Sequence, residues 1–323
     1  MSFFLMLIIS TMISISSYSW MGMWLGLEIN LMSMIPLMIN KKNYSSSESS
    51  IKYFITQALA SSILIMSIML METKMMSFTA TLFMNSAIMT KMGTAPFHFW
   101  FPDIIEGMNW MNCMMLLTWQ KVAPMIIFFT NNKSSNIISL IALTSLIIGG
   151  ISSINQTSLR KIMVYSSINH MGWMMAAMTN ELILMFYITI YSAISINLML
   201  FFKKMNLFFL SQISLAMKNN PKIKLMFMMN FMSMGGLPPF LGFIPKWITI
   251  QSLIENNQMT LSILMTILTL IMLYKYIQIL LPSMTLQSSS LKWKTFIMPK
   301  YSLIMNSINL LSFLTYSLWF LMN

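Results

Sequence analysis

Arginine occurs once in this chain of 323 residues, at Arg160, and cysteine once, at Cys113. A lone cysteine forms no intrachain disulfide, so nothing in the sequence asks for an oxidising compartment. Acidic residues are also scarce, at seven, and all charged residues together make 8%. Soluble globular proteins carry about 25%, so a soluble globule is excluded. A CxxC pair, a glycine-rich phosphate loop and a nucleophile motif are missing too, which leaves no visible redox centre in the chain. His98, Asp103 and Glu106 lack a metal-ligand spacing, and the two acids read as parts of a solvated loop.

What is present is hydrocarbon. Hydrophobic residues make 57% and the mean hydropathy is +0.73, gathered in blocks of roughly the 20 residues that cross a bilayer. The blocks predict about eleven transmembrane helices: 3–19, 20–39, 51–71, 77–97, 109–130, 135–153, 161–179, 182–202, 225–248, 259–281 and 303–321. The connections are too short for a soluble domain. A spanning backbone must satisfy its own hydrogen bonds. The expected class is therefore an all-α polytopic membrane protein, a single transmembrane domain over 1–323. The first span has no basic n-region and no cleavage site, so it reads as a span and not as a signal peptide. Helix physics does not ask for 42 methionines. An AT-rich genome that reads an extra codon as methionine would supply them, which points to a mitochondrial gene.

A net charge of +12 would suggest nucleic acid in a soluble protein. In a membrane protein, basic residues gather in the loops that stay inside. The loops after spans two, six, eight and ten hold Lys41, Lys42, Lys52, Arg160, Lys161, Lys203, Lys204, Lys218, Lys222, Lys224, Lys292, Lys294 and Lys300. The opposite side holds only Lys74 and Lys133. This bias sets the N-terminus inside and the C-terminus outside.

Removing those loop charges leaves Lys91, Lys121, Lys246, Lys275 and Glu28 within predicted spans. A charge at mid-bilayer costs roughly 2.5–3.5 kcal/mol on insertion scales. The bland account is snorkelling, in which the lysine stem carries the ammonium to the interface. Snorkelling or packing suits Lys275, flanked by Tyr274 and Tyr276, as well as a functional role as a proton relay does. Glu28 is too short to snorkel far. Burial disfavours an ammonium and a nearby carboxylate restores it. Neutralising Glu28 would then switch a neighbouring lysine between holding and releasing a proton, and Lys91 is the expected neighbour. His98, His170 and the run Ser166-Ser167-Ile168-Asn169-His170 could relay protons between lysines. The same histidines also read as hydrogen-bonded packing between helices.

Two segments carry most of the helix breakers. Pro96-Phe97-His98-Phe99-Trp100-Phe101-Pro102 ends the fourth span, and Pro239-Phe240-Leu241-Gly242-Phe243-Ile244-Pro245 lies in the ninth. Both read P-F, three residues, a large apolar residue, P. Each has a lysine beside it, Lys91 or Lys246, and the span that follows carries Lys121 or Lys275. Spans four and nine are five apart, so the second set enters from the opposite side. This pattern predicts an inverted repeat of two five-helix units, about 3–130 and 135–281, with discontinuous fourth and ninth helices and an extra helix at 303–321. Proline removes an amide donor and strains the preceding turn. Pro238, Pro239 and Pro245 should free the carbonyls of Met234, Gly235 and Leu241, and Pro124 that of Gln120 beside Lys121. Irregular backbone at this depth is tolerated only inside protein or beside water, so a hydrated polar pocket is expected, with Lys246 at its edge.

WLGLEINLMSMIPL, SIKYFITQALAS, KMGTAPFHFWFPDIIEG, LLTWQKVAP, SINQTSLRKIMVYSSINHMGW and SMGGLPPFLGFIPKW together resemble subunit 2 of mitochondrial NADH–ubiquinone oxidoreductase, complex I, in its shortened insect- or arthropod-like form. The match runs from about residue 20 to residue 280. The resemblance implies an antiporter-like subunit of the membrane arm that moves protons across the mitochondrial inner membrane. NADH oxidation and ubiquinone reduction then occur elsewhere in the complex. NADH, FMN, iron–sulfur clusters and ubiquinone would belong to other subunits, and this chain would hold no cofactor or metal. Implied partners are other membrane-arm subunits, neighbouring antiporter-like ones among them, and membrane lipids, with no nucleic acid. The N-terminus would face the matrix and the C-terminus the intermembrane space. The family's acid in GLE falls on Glu28, and the lysines of KxGxAPFH, TWQK and GFxPKW fall on Lys91, Lys121 and Lys246. An arginine in place of Lys275 would keep the cation, which leaves its titration role open. Two alternatives stand beside this reading: a free-standing cation–proton antiporter, for which Glu28 is the only buried carboxylate, and a structural spacer that moves no protons.

Overall fold

A computed structural model of the chain describes residues 2–39, 43–72, 77–131, 135–217 and 221–285. The predicted helix at 303–321 lies outside the described residues, as do Lys41, Lys42, Lys74, Lys133, Lys218, Lys292, Lys294 and Lys300. Among the described residues all regular structure is helical, apart from an isolated antiparallel bridge between Ser158 and Phe209. The chain divides into two compact units, with the boundary between Ile137 and Ile138.

The first unit holds α1 (Ser2–Ser16), α2 (Trp20–Met38), α3 (Tyr44–Glu72), α4 (Ser77–Met92), α5 (Trp100–Glu106), α6 (Trp110–Leu117) and α7 (Trp119–Asn131). The Ser19 hydroxyl accepts from the Gly22 amide and caps the start of α2, using one donor the helix cannot satisfy itself. Helices α2 and α4 both pack on α3 and on α7, and α1 packs on α2 and α7. Met34, Leu64, Met84, Phe101 and Phe128 fill the interior.

The second unit is built from α8 (Ser135–Ile154), α9 (Leu159–Ala176), α10 (Glu181–Met205), α11 (Leu210–Met217), α12 (Pro221–Gly235), α13 (Phe243–Glu255) and α14 (Met259–Thr285), with a 3-10 turn at Ala177–Thr179. Helix α9 packs against α10, α13 and α14 and is buried at every residue from Ser166 to Ala176.

Among the described residues six helical stretches are long and apolar enough to cross a membrane: α2, α3, the run through α6 and α7, α8, α10 and α14. The halves of the broken segments fall outside that set because each is too short, and α9 because serine, asparagine and histidine dilute its hydrocarbon where it packs inside protein. Several boundaries differ from the sequence expectation: α3 begins at Tyr44 and not at 51, so that Lys52, assigned to a loop, lies on it. Asp103 and Glu106 lie on α5 and not in a loop. Pro102 is only the third residue of that helix, where the missing amide needs no intrahelical partner, and both acids are exposed. The ninth span runs on past 248 to Glu255, and the loop after the eighth contains α11.

Candidate functional site

Helix α4 stops at Gly93, whose φ of +70° suits a residue without a Cβ. The Gly93 amide donates to the Thr90 carbonyl at 3.2 Å and the Thr94 amide to Met89 at 3.2 Å, the paired bonds of a Schellman cap. Lys91 therefore lies in the last turn of α4, where the helix dipole favours a cation. Its ammonium is 3.7 Å from Glu28 Oε1 on α2, with the lysine side chain 3% and the glutamate 21% exposed. The expected Glu28–Lys91 neighbourhood is thus present.

A small cavity opens beside this pair, lined by Asn30, Gln57, Lys91, Gln120 and Lys121 together with Tyr53, Trp100 and Phe101. A water centre has about 20 Å³ to move in, against the roughly 10–15 Å³ that one water needs. Asn30 Oδ1 and Gln120 Nε2 are buried there without a hydrogen-bond partner among the described residues. Lys121, 5% exposed, lies in the first turn of α7 with its ammonium 5.2 Å from the Phe101 ring centroid. Its helix is interrupted at Thr118, with φ −115° and ψ −73°, one and a half turns before Pro124. Pro124 lies inside α7 and leaves the Gln120 carbonyl without its amide, as expected, but it does not account for this break.

The second unit ends α12 in the same way. Gly236 has φ +75°, its amide donates to the Ser233 carbonyl at 3.0 Å, and the Leu237 amide donates to Met232 at 3.3 Å. Lys246 sits in the first turn of α13, a poor place for a cation. It reaches back instead, donating to the Gly235 carbonyl at the end of α12 at 2.8 Å. Gly235 is one of the carbonyls that Pro239 was expected to free, and the ammonium itself satisfies it. The Trp173 ring centroid of α9 lies 5.7 Å from the same ammonium.

Lys275 is buried and donates to the carbonyls of Ile154 at 2.8 Å and Gln156 at 3.2 Å, closing the end of α8. Its side chain and those of the other three lysines lie inside the protein, none more than 8% exposed. His98 lies in the α4–α5 break, with Nδ1 3.3 Å from the Pro96 carbonyl. His170 is on α9, with Nδ1 3.0 Å from the Tyr187 hydroxyl and the Tyr191 ring 5.1 Å away. The structure so brings Lys91, paired with Glu28, and Lys121 around one cavity in the first unit, and sets Lys246 and His170 within the second. Sequence reasoning missed Asn30, Gln57 and Gln120. Their signal was uncharged polarity inside apolar spans, which a search for charges passes over. Among the described residues no group of histidine, cysteine, aspartate and glutamate could hold a metal ion.

Residues 17–272 match the family described as NADH:quinone oxidoreductase/Mrp antiporter, transmembrane. The chain is 47% identical over 286 residues to NADH-ubiquinone oxidoreductase chain 2 of Anopheles gambiae, covering 86% of this chain and 83% of the relative. It is 46% identical to the Aedes aegypti protein of that name, over 99% and 97% of the two chains. Its fold matches a chain of respiratory complex I from Thermus thermophilus with a TM-score of 0.84 at 19% identity, over 96% of this chain and 77% of that one. It also matches a chain of an archaeal membrane-bound sulfane sulfur reductase with a TM-score of 0.83 at 13% identity, over 98% and 73%. This polytopic helical membrane protein belongs to the NADH:quinone oxidoreductase/Mrp antiporter family, among its NADH-ubiquinone oxidoreductase chain 2 members.

Proposed function

We propose that the chain is a proton-translocating subunit in the membrane arm of a respiratory NADH:ubiquinone oxidoreductase of the mitochondrial inner membrane. One observation carries this reading: an ion pair between Glu28 and Lys91 on the edge of a polar cavity that Lys121 also lines. A proton leaving Lys91 makes the pair with Glu28 unequal, and the cavity offers a path to the second amine. Lys246, held on the carbonyl of a broken helix, is the carrier of the second unit. His98 and His170 are relay candidates. Lys275, fixed on two carbonyls, acts as a helix cap. Driving one charge through 100 mV takes about 2.3 kcal/mol, comparable with what burial and a neighbouring charge exchange at such sites.

The two units and their matching caps at Gly93 and Gly236 support an inverted repeat of five helices each, with an eleventh helix at 303–321. The loop lysines support an N-terminus in the matrix and a C-terminus in the intermembrane space. NADH, FMN, iron–sulfur clusters and ubiquinone are handled by other subunits of the assembly, and adjacent antiporter-like subunits and lipids surround this one.

Reconstituted vesicles containing the whole complex test the reading. Lys121→Met or Lys246→Met should lower protons moved per NADH several-fold for this subunit's share, and Glu28→Gln should slow coupled turnover. Normal assembly with unchanged pumping in all three would favour a spacer.

A further inference from the structure

We propose that Trp100 and Phe101, the first two residues of α5, are positioning residues that hold Lys91 and Lys121 in register with each other. The proposal rests on the proton role given to those lysines. Trp100 reaches back across the break, and its indole Nε1 donates to the Thr90 carbonyl at 3.0 Å. Thr90 precedes Lys91, and its carbonyl already accepts the Gly93 amide. The indole adds a second bond to the helix end that carries the lysine.

The next side chain faces the other amine. Phe101 is 1% exposed, and its ring lies beneath the Lys121 ammonium at 5.2 Å, inside the roughly 6 Å over which an aromatic face attracts a cation. The two rings are 5.1 Å apart, and both line the cavity with the lysines. A Cβ on Gly93 would meet the Phe101 ring at 3.2 Å and the Trp100 ring at 3.3 Å. The rings therefore sit directly on the glycine of the cap. Trp100 and Phe101 share a peptide bond, so the start of α5 ties the last turn of α4 to the first turn of α7. A shift of this turn would move the seats of both amines together.

Simple packing makes a different prediction. If the rings only fill space, leucine for Phe101 and phenylalanine for Trp100 should be tolerated. If they position the lysines, the indole N–H and the aromatic face are needed. The test compares Phe101→Leu, Phe101→Tyr, Trp100→Phe and Lys121→Met in the intact complex in vesicles, reading assembly, uncoupled NADH oxidation and protons per NADH. We expect Phe101→Leu and Trp100→Phe to oxidise NADH normally when uncoupled but to lose about twofold or more of this subunit's pumping. Phe101→Tyr should pump like the parent. Parental pumping in both Phe101→Leu and Trp100→Phe would overturn the positioning role, as would an equal loss in Phe101→Tyr. If Phe101→Leu does not assemble, Trp100→Phe carries the decision, because it keeps a ring and loses only the indole. Parental pumping in Lys121→Met would overturn the underlying proton reading, and this outcome is separable from failure of the positioning role alone.

Discussion

Each buried amine in this protein is answered by a different group. Lys91 faces a carboxylate, Lys121 an aromatic face, Lys246 a carbonyl at the end of α12, and Lys275 the carbonyls of Ile154, at the end of α8, and of Gln156 just past it. Lys275→Met would strip two charge-assisted bonds from part-buried carbonyls, each worth at most roughly 1.5–3 kcal/mol. The subunit should dissociate from the heated complex at clearly lower temperature, while Lys275→Arg, which keeps the donors, should restore it. Glu28, Lys91, Lys121 and Lys246 were legible in the sequence because an ion in hydrocarbon is conspicuous against its neighbours. The job of Lys275 was not, since Ile154 and Gln156 lie more than a hundred residues away. Nor could the sequence show that Lys246 would cap the very break that precedes it.

At the scale of elements, the two broken helices are the organising feature. Their prolines and glycines marked them in the sequence, and the structure adds that both first halves end in the same cap, at Gly93 and Gly236. Gly236→Ala should be costly for two reasons. The left-handed backbone costs a side chain about 1–2 kcal/mol, and the new methyl would stand 2.8 Å from the Lys246 side chain. Lower subunit stability and weaker pumping are expected together, measured as the amount of assembled complex and as protons per NADH. The break at Thr118 went unread because it lies six residues before Pro124, beyond the Gln120 carbonyl that the missing proline amide leaves free. Helix α11 escaped notice because its eight residues are too few for a span. Length and apolar content located α9, although its polar residues make sense only once its neighbours are seen around it.

For the whole molecule, apolar residues face two kinds of surroundings. Leu5, Leu59, Leu140 and Leu270 are each more than half exposed, as suits side chains against lipid, while Lys91 and Lys121 are turned inward beside the amides of Asn30, Gln57 and Gln120. The account depends on that inversion being wet. The most direct check is a map of the assembled complex sharp enough to show ordered water in the cavity between Lys91 and Lys121. The account predicts at least one water within hydrogen-bonding distance of Asn30 Oδ1 or Gln120 Nε2 and of one of the two amines. A dry cavity, with either lysine turned toward the membrane surface, would contradict it.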